Sequence, residues 1–153
     1  MRLTVLSMVF AAVFGAMAWS QGGSLKSRAT APKPADLDAN VSISALLQKS
    51  GPQDWSTNKA ATVEGYIVQV EKDPDGDVVV FLADNPGETS TTKWMIAEVP
   101  PAWQKKDANL SEHNLRALFG KQAKLTGWLF YDPDDQDPRG TRWELHPVTQ
   151  ISH

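Results

Sequence analysis

The order of strand-like and helix-like segments constrains the fold of this chain more than any other feature of its sequence. Three segments rich in β-branched and aromatic residues come first, at residues 61–71, 77–83 and 92–99. Leucines at helical spacing follow in residues 107–120, which end in a glycine that suits a helix C-terminus. Two further strand-like segments, residues 122–131 and 141–151, complete the pattern. The sequence therefore predicts three strands, a helix and two strands.

Turn residues and glycines suggest how these strands are arranged. Gly65 lies inside the first strand, where glycine commonly marks a bulge or bend, and Asp75-Gly76 suits a hairpin turn. The second strand is apolar on both faces, so it needs a closed sheet to hide its edge. This order of elements is that of the OB-fold, a partly open Greek-key barrel. We predict a mainly β, five-stranded OB-fold-like barrel with one helix between strands three and four; another small α+β domain is the alternative.

The first residues have the pattern of a secretory signal peptide. Arg2 precedes an almost uninterrupted apolar stretch, residues 3–18, and small residues provide cleavage positions after Ala18 or Ser20. The apolar stretch is shorter than the ~20 residues that span a bilayer, and the chain has no cysteine for a lipid anchor. We therefore expect residues 1–20 to be removed. The product is expected in the periplasm or outside the cell, with no stable membrane anchor.

The remaining chain divides into a leader and one domain. Residues 21–40 are rich in Gly, Ser, Lys, Pro and Ala, a composition that predicts a flexible leader. Residues 41–153 are predicted to form the barrel domain. A short N-terminal helix, capped by Asp38 or Ser42 and stopped at Gly51, precedes the first strand.

The charge and the absence of cysteine exclude several kinds of site. The formal net charge is −3, and removal of residues 1–20 takes away one arginine and no acid, which leaves −4. Proteins that bind nucleic acid usually carry a basic surface, so the acidic balance disfavours such a partner. Without cysteine there are no disulfides, thiol nucleophiles or cysteine metal ligands. An exported domain of this kind depends on its hydrophobic core for stability.

The last two strands carry the most specific motifs. Gly127-Trp-Leu-Phe-Tyr-Asp132 precedes a short loop, and Trp143-Glu-Leu-His-Pro-Val148 follows it. Over residues 62–151 the chain resembles an uncharacterised family of exported bacterial OB-fold proteins that end in a Trp-Glu-x-His-Pro-Val-Thr strand. The resemblance implies the barrel fold and export. It implies no particular activity, because OB barrels support unrelated functions.

Two acidic loops form the first candidate site. In an OB barrel the loops between strands one and two and between strands four and five flank the binding face. Carboxylates there attract a hard cation such as Ca²⁺ and repel phosphate. The alternative is that the same residues only form turns, where aspartate is common. The candidate cation ligands are Asp73, Asp75, Asp77, Asp132, Asp134 and Asp135.

The last strand and two tryptophans form the second candidate site. Because side chains alternate along a strand, Arg142, Glu144 and His146 share one face, where a small ligand or acid–base site can form. The alternative is a structural pair between Glu144 and one of two arginines, with His146 anchoring the strand end. Tryptophans in strands act either as stacking platforms or as core residues. The candidate ligand-contacting residues are Trp94, Trp128, Arg139, Arg142, Trp143, Glu144 and His146.

No sequence motif of a hydrolase or phosphate-binding loop is present in the chain. We therefore predict a monomeric, non-enzymatic binding or accessory module whose ligand is an unidentified protein or small molecule. One alternative is weak binding of single-stranded nucleic acid. The other is a metal-dependent hydrolase that uses the acidic loops and His146.

Overall fold

The computed structural model describes residues 23–134 and 136–153. The predicted signal peptide, residues 1–20, therefore lies outside the described residues. The strands are β1 (Ala60–Lys72), β2 (Val78–Ala83), β3 (Met95–Val99), β4 (Gln122–Tyr131) and β5 (Trp143–Ser152). The α-helices are α1 (Ile43–Gln48), α2 (Pro101–Lys106) and α3 (Glu112–Ala117), and short 3₁₀ turns occupy Pro34–Asp36, Thr91–Lys93 and Ala108–Leu110. The described residues 23–26 are also helical. None of the helices in this described part is long and apolar enough to cross a membrane.

The strands form a closed barrel in the order β1-β2-β3-β5-β4, with β4 returning to β1. Neighbouring strands are antiparallel except β3 and β5, which pair in parallel through Ile96–Glu144 and Ala97–Leu145. Each strand therefore has a neighbour on both sides, which leaves no free edge on the apolar strand β2. The predicted mainly β, OB-fold-like barrel is confirmed.

The helical regions differ from their predicted boundaries. Residues 107–120 do not form one helix, because Ser111 accepts a hydrogen bond from the Asn114 backbone and starts α3 after a separate 3₁₀ turn. The sequence prediction missed α2, whose first residue, Pro101, sits where proline is tolerated because the first turn needs no donor. The short helix α1 is capped by Ser42, which is one of the two capping residues predicted from the sequence.

The main core fills the barrel, and a second apolar cluster lies on the opposite face of β2 and β3. Alternate residues of all five strands point inward, and α1 and α3 add Ile43, Leu46 and Leu115 to the same core. The second cluster consists of Val79, Phe81, Ala83, Trp94 and Ile96. Strand β2 is therefore buried on both faces, as its continuous apolar sequence requires. The irregularity in β1 lies between Ile67 and Gln69 rather than at Gly65.

Residues predicted as a leader make contacts with this barrel. The indole Nε1 of Trp103 on α2 donates to the Arg28 carbonyl, and that of Trp128 on β4 donates to the Thr30 carbonyl, each at 2.9 Å. Further along, Leu37 forms a parallel bridge with Ala60 at the start of β1. The segment before α1 therefore packs on the outside of β4 and α2.

Gly140 provides a test of the packing around the closing strand. A Cβ at this position would lie 2.1 Å from the Thr92 carbonyl oxygen and 2.5 Å from Leu47 Cδ2. We expect Gly140→Ala to reduce the free energy of unfolding by ~1–3 kcal/mol, because the backbone has to move. Urea denaturation measures the change, and Gly23→Ala, where nothing lies within 4 Å of the added carbon, is the matched control. Equal stability of the two variants would contradict the packing described here.

Candidate functional site

Strands β3 and β5 carry charged side chains on the face that points away from the barrel core. Met95, Ala97 and Val99 face the core, so Glu98 projects to the other side of β3. On β5 the core residues Trp143 and Leu145 alternate with Glu144 and His146. Glu144 lies beside β3 because the two strands pair in parallel. Closure of the barrel thus brings these acidic and basic groups together.

His146 is the centre of this cluster and is only 3% exposed. Its Nδ1 lies 2.7 Å from Glu98 Oε2 and 3.2 Å from Glu144 Oε1. Its Nε2 lies 3.3 Å from Oδ2 of Asp77, the residue directly before β2. Three carboxyl groups from three different elements therefore surround one imidazole ring.

A fully buried ion pair supports the cluster from one side. The Arg139 guanidinium contacts Oε2 of Glu144, and both side chains have no exposed surface. A second nitrogen of Arg139 donates to the Asp132 carbonyl at 3.2 Å. A buried charge is tolerated only when it is paired in this way. The structure thus assigns Arg139 as a partner of Glu144, and its contacts fix Glu144 beside His146.

Lys26 closes the cluster from the other side. Its ammonium group binds the Asp132 carboxylate and lies 5.0 Å from the centre of the Phe130 ring. Burial opposes its charge, but the hydrogen bond to Asp132 and the charges of Glu144 and Glu98 raise the pKa of Lys26. The same contact lowers the pKa of Asp132, although burial acts in the opposite direction. Lys26 is therefore held as a cation beside the buried acids.

The buried acids make a proton on His146 favourable. Burial raises the pKa of Glu98, and the nearby charge of Glu144 adds to this effect, while His146 opposes it. Burial also opposes the charged form of His146, but hydrogen bonds to Asp77, Glu144 and Glu98 outweigh it and raise the pKa of His146 to about 11. The site is thus built around a positive charge at the position of this ring.

Asp77, Glu98 and His146 also lie close enough together to be candidate ligands of one metal ion. One donor atom from each of the three lies within 4.8 Å of the other two, and all three residues are buried. Donors that share one ion at ~2.1 Å lie roughly 3.5 Å apart. Asp77 faces Nε2 of His146 and Glu98 faces Nδ1, so a shared ion at Nε2 requires the Glu98 carboxylate to move from Nδ1 to that side of the ring. Glu144 would then orient the ring from outside the ligand set, as carboxylates commonly do for ligating histidines.

The predicted cation ligands have different positions in the structure. Asp77 belongs to the cluster around His146, while Asp132 binds Lys26. Asp75 accepts a hydrogen bond from the Asp77 backbone within the turn between β1 and β2. Asp132 also accepts one from the Asp134 backbone. The metal-ligand geometry found among the described residues does not include Asp73, Asp75, Asp132 or Asp134, and Asp135 lies outside the described residues.

The predicted tryptophan platforms separate into core and surface residues. Trp94 is 7% exposed, packs edge-on against Phe81 and donates to the Glu88 carbonyl. Trp143 is buried and donates to the Gly51 carbonyl. Trp128 instead lies beneath the Arg28 guanidinium, 4.3 Å from the ring centre. Arg142 lies at the base of β5, where its carbonyl accepts from the Asp132 backbone.

The sequence analysis missed Glu98, Lys26 and Trp103. Glu98 had a usable signal, because it is a single acid between Ala97 and Val99 in an otherwise apolar strand. An acid at such a position is either exposed on a polar face or buried with a partner. Lys26 and Trp103 had no comparable signal, since they lie in a Ser/Lys-rich segment and after a Pro-Pro pair.

Comparisons with known proteins give similarities to solved structures only. No family model matches the chain, and no curated protein matches it in sequence. The barrel is similar to the Stn1–Ten1 complex of S. pombe, with 13% identity, TM-score 0.47 and coverage of 74% of this chain and 75% of that one. It is also similar to OB4 of yeast Cdc13, a telomere protein, with 17% identity, TM-score 0.47 and coverage of 72% and 82%. Aspartyl-tRNA synthetase of Entamoeba histolytica matches over 61% of this chain and 18% of its own, with 17% identity and TM-score 0.41.

These similarities concern the barrel fold.

The charge on His146 predicts how stability depends on pH. A pKa of about 11 in the folded state lies above the ordinary value of 6.5, so the folded protein holds this proton more tightly. The stabilisation is complete below about pH 6.5 and is lost as the pH rises towards about 11, and the raised pKa of Glu98 acts in the same direction. We expect the urea midpoint of the chelator-treated protein to fall between about pH 7 and about pH 10.

The control for this experiment is the exposed His113 on α3. His146→Gln should flatten the decline, whereas His113→Gln should retain it. An identical pH dependence in wild type and His146→Gln would show that the cluster does not hold the proton as described.

Proposed function

We propose that this chain is an exported, non-enzymatic OB-fold module that binds a divalent cation through Asp77, Glu98 and His146. The observation that carries the proposal is the meeting of three donor side chains from three elements at one buried position. The excess of carboxyl groups there needs a positive charge. In the metal-free protein the imidazolium proton supplies that charge, and a bound cation takes its place with release of the proton.

The donor set favours a transition-metal ion over the Ca²⁺ expected from the acidic loops. One imidazole nitrogen and two carboxylate oxygens suit Zn²⁺ or Mn²⁺, whereas Ca²⁺ prefers six to eight oxygen ligands. In the acidic loops, the Asp75 carboxylate accepts a hydrogen bond from the Asp77 backbone and the Asp132 carboxylate accepts one from the Asp134 backbone. We therefore expect Zn²⁺ and Mn²⁺ to bind more tightly than Ca²⁺ or Mg²⁺.

Burial distinguishes this proposal from the hydrolase alternative. Three protein ligands plus water are typical of catalytic zinc, but a substrate must reach the ion. Here His146 is 3% exposed and Glu98 is 7% exposed. The arrangement therefore supports a role in binding and stabilisation rather than in hydrolysis.

The charged groups around His146 argue against nucleic-acid binding. Asp77, Glu98 and Asp132 repel phosphate, and the nearby Lys26 ammonium is already bound to Asp132. Binders of single strands combine exposed aromatic rings with a positively charged groove. In this chain Trp94 and Trp143 are core residues, which removes two of the predicted stacking platforms.

Calorimetric titration of the metal-free protein with Zn²⁺, Mn²⁺, Ca²⁺ and Mg²⁺ tests the proposal. We expect one equivalent of Zn²⁺ or Mn²⁺ to bind with proton release, and at least tenfold weaker binding in Glu98→Gln and His146→Gln. Loss of a ligand typically has an effect of this size or larger. Asp134→Ala and His113→Gln change exposed residues of the same types and should bind as wild type does.

Two results would contradict the cation site. Absence of binding by the wild-type chain is one of them. The other is equal binding by all variants, which would indicate weak association with surface carboxylates. If Asp134→Ala alone lost Ca²⁺ binding, the acidic loop would be the site instead.

A further inference from the structure

Side chains on β4 and α2 form a surface that holds a segment near the start of the described chain by its backbone. The tryptophan face consists of Trp103, Lys106, Trp128, Phe130 and Asp132. Three consecutive carbonyls of the segment, those of residues 28–30, accept hydrogen bonds from Trp103 Nε1 at 2.9 Å, Lys106 Nζ at 2.8 Å and Trp128 Nε1 at 2.9 Å. Carbonyl groups are common to every peptide, so these contacts recognise a peptide backbone rather than a particular sequence.

The same face binds two basic side chains of that segment. The Arg28 guanidinium stacks 4.3 Å from the centre of the Trp128 ring, and Lys26 lies over Phe130 and binds Asp132. Cations are attracted to aromatic faces in this way, most strongly to tryptophan. The two positions are separated by one residue, which sets the spacing that the face recognises.

The rest of the segment contributes little that is specific. Ser27, Ala29 and Thr30 are exposed. Lys26 ends the helical residues 23–26, whereas residues 28–30 form neither a helix nor a strand. The contacts that select the occupant are therefore the two basic side chains and the backbone carbonyls, and another segment with a Lys-x-Arg pattern can make all of them.

We propose that the tryptophan face is a docking site for a Lys-x-Arg segment of a partner protein, and that residues 26–30 occupy it in the isolated chain. Charge complementarity favours such a partner, since Asp132, Glu98 and Glu144 lie around the Lys26 position. The hydrogen bonds and ring contacts of the face involve none of the proposed cation ligands, although a cation bound beside Glu98 would weaken the attraction for the lysine. A tethered occupant has a high effective concentration, on the order of millimolar. A partner therefore binds more weakly to the intact chain than to a chain whose own segment is released.

A labelled peptide with the sequence of residues 24–32 tests this by fluorescence anisotropy against full-length variants. Lys26→Ala with Arg28→Ala removes the two basic contacts of the resident segment and changes no residue of the barrel strands. We expect this double variant to bind the peptide at least tenfold more tightly than wild type does. A peptide with alanine at the positions of Lys26 and Arg28 should bind at least tenfold more weakly.

Variants of Trp128 connect the binding to the tryptophan face. In the Lys26→Ala, Arg28→Ala background, Trp128→Ala should lose most of the peptide affinity. Trp128→Phe retains a ring for packing but lacks the indole N–H, so it should bind several-fold more weakly while the far-ultraviolet circular dichroism stays unchanged. The proposal is overturned if the double variant binds the peptide no better than wild type. Equal binding of the peptide without basic residues, or no effect of either Trp128 variant, would also overturn it.

Discussion

The buried charges on β5 are the constraint on which the arrangement of the site depends. Closing the barrel takes Glu144 and His146 out of water, and burying charges is costly unless partners surround them. Arg139 from the preceding loop, Glu98 from β3 and Asp77 from the start of β2 supply those partners. Ion pairing, as well as apolar packing, therefore holds the loop before β2 and the loop before β5 against the parallel β3–β5 pair.

The barrel could be predicted from sequence because its strands have unambiguous patterns. β4 has the predicted boundaries, and β2 is buried on both faces as its apolar run implies. The region between β3 and β4 was predicted less well. There Ser111 caps a new helix and Pro101 starts another, and such short helices depend on local capping contacts that periodicity does not report.

The site was predictable only in part. Glu144, His146 and Asp77 were each candidates, but they belonged to two separate predicted sites. Their contact depends on β3 lying between β2 and β5, and that neighbour relation comes from closure of the barrel rather than from any local pattern. Glu98 completes the cluster from β3. To predict its role from sequence, one would have to interpret the single acid of this apolar strand as a buried charge with a partner.

Lys26 connects the two proposals, because it belongs to the segment on the tryptophan face and also lies near the buried acids. A cation bound by those acids and the ammonium group of Lys26 repel each other. Cation binding itself depends on Asp77, Glu98 and His146. X-ray diffraction from crystals grown with one equivalent of Zn²⁺, measured at the zinc absorption edge, locates the bound ion. We expect one strong anomalous peak between these three side chains. A peak only at exposed carboxylates, or none at all, would contradict this cation site.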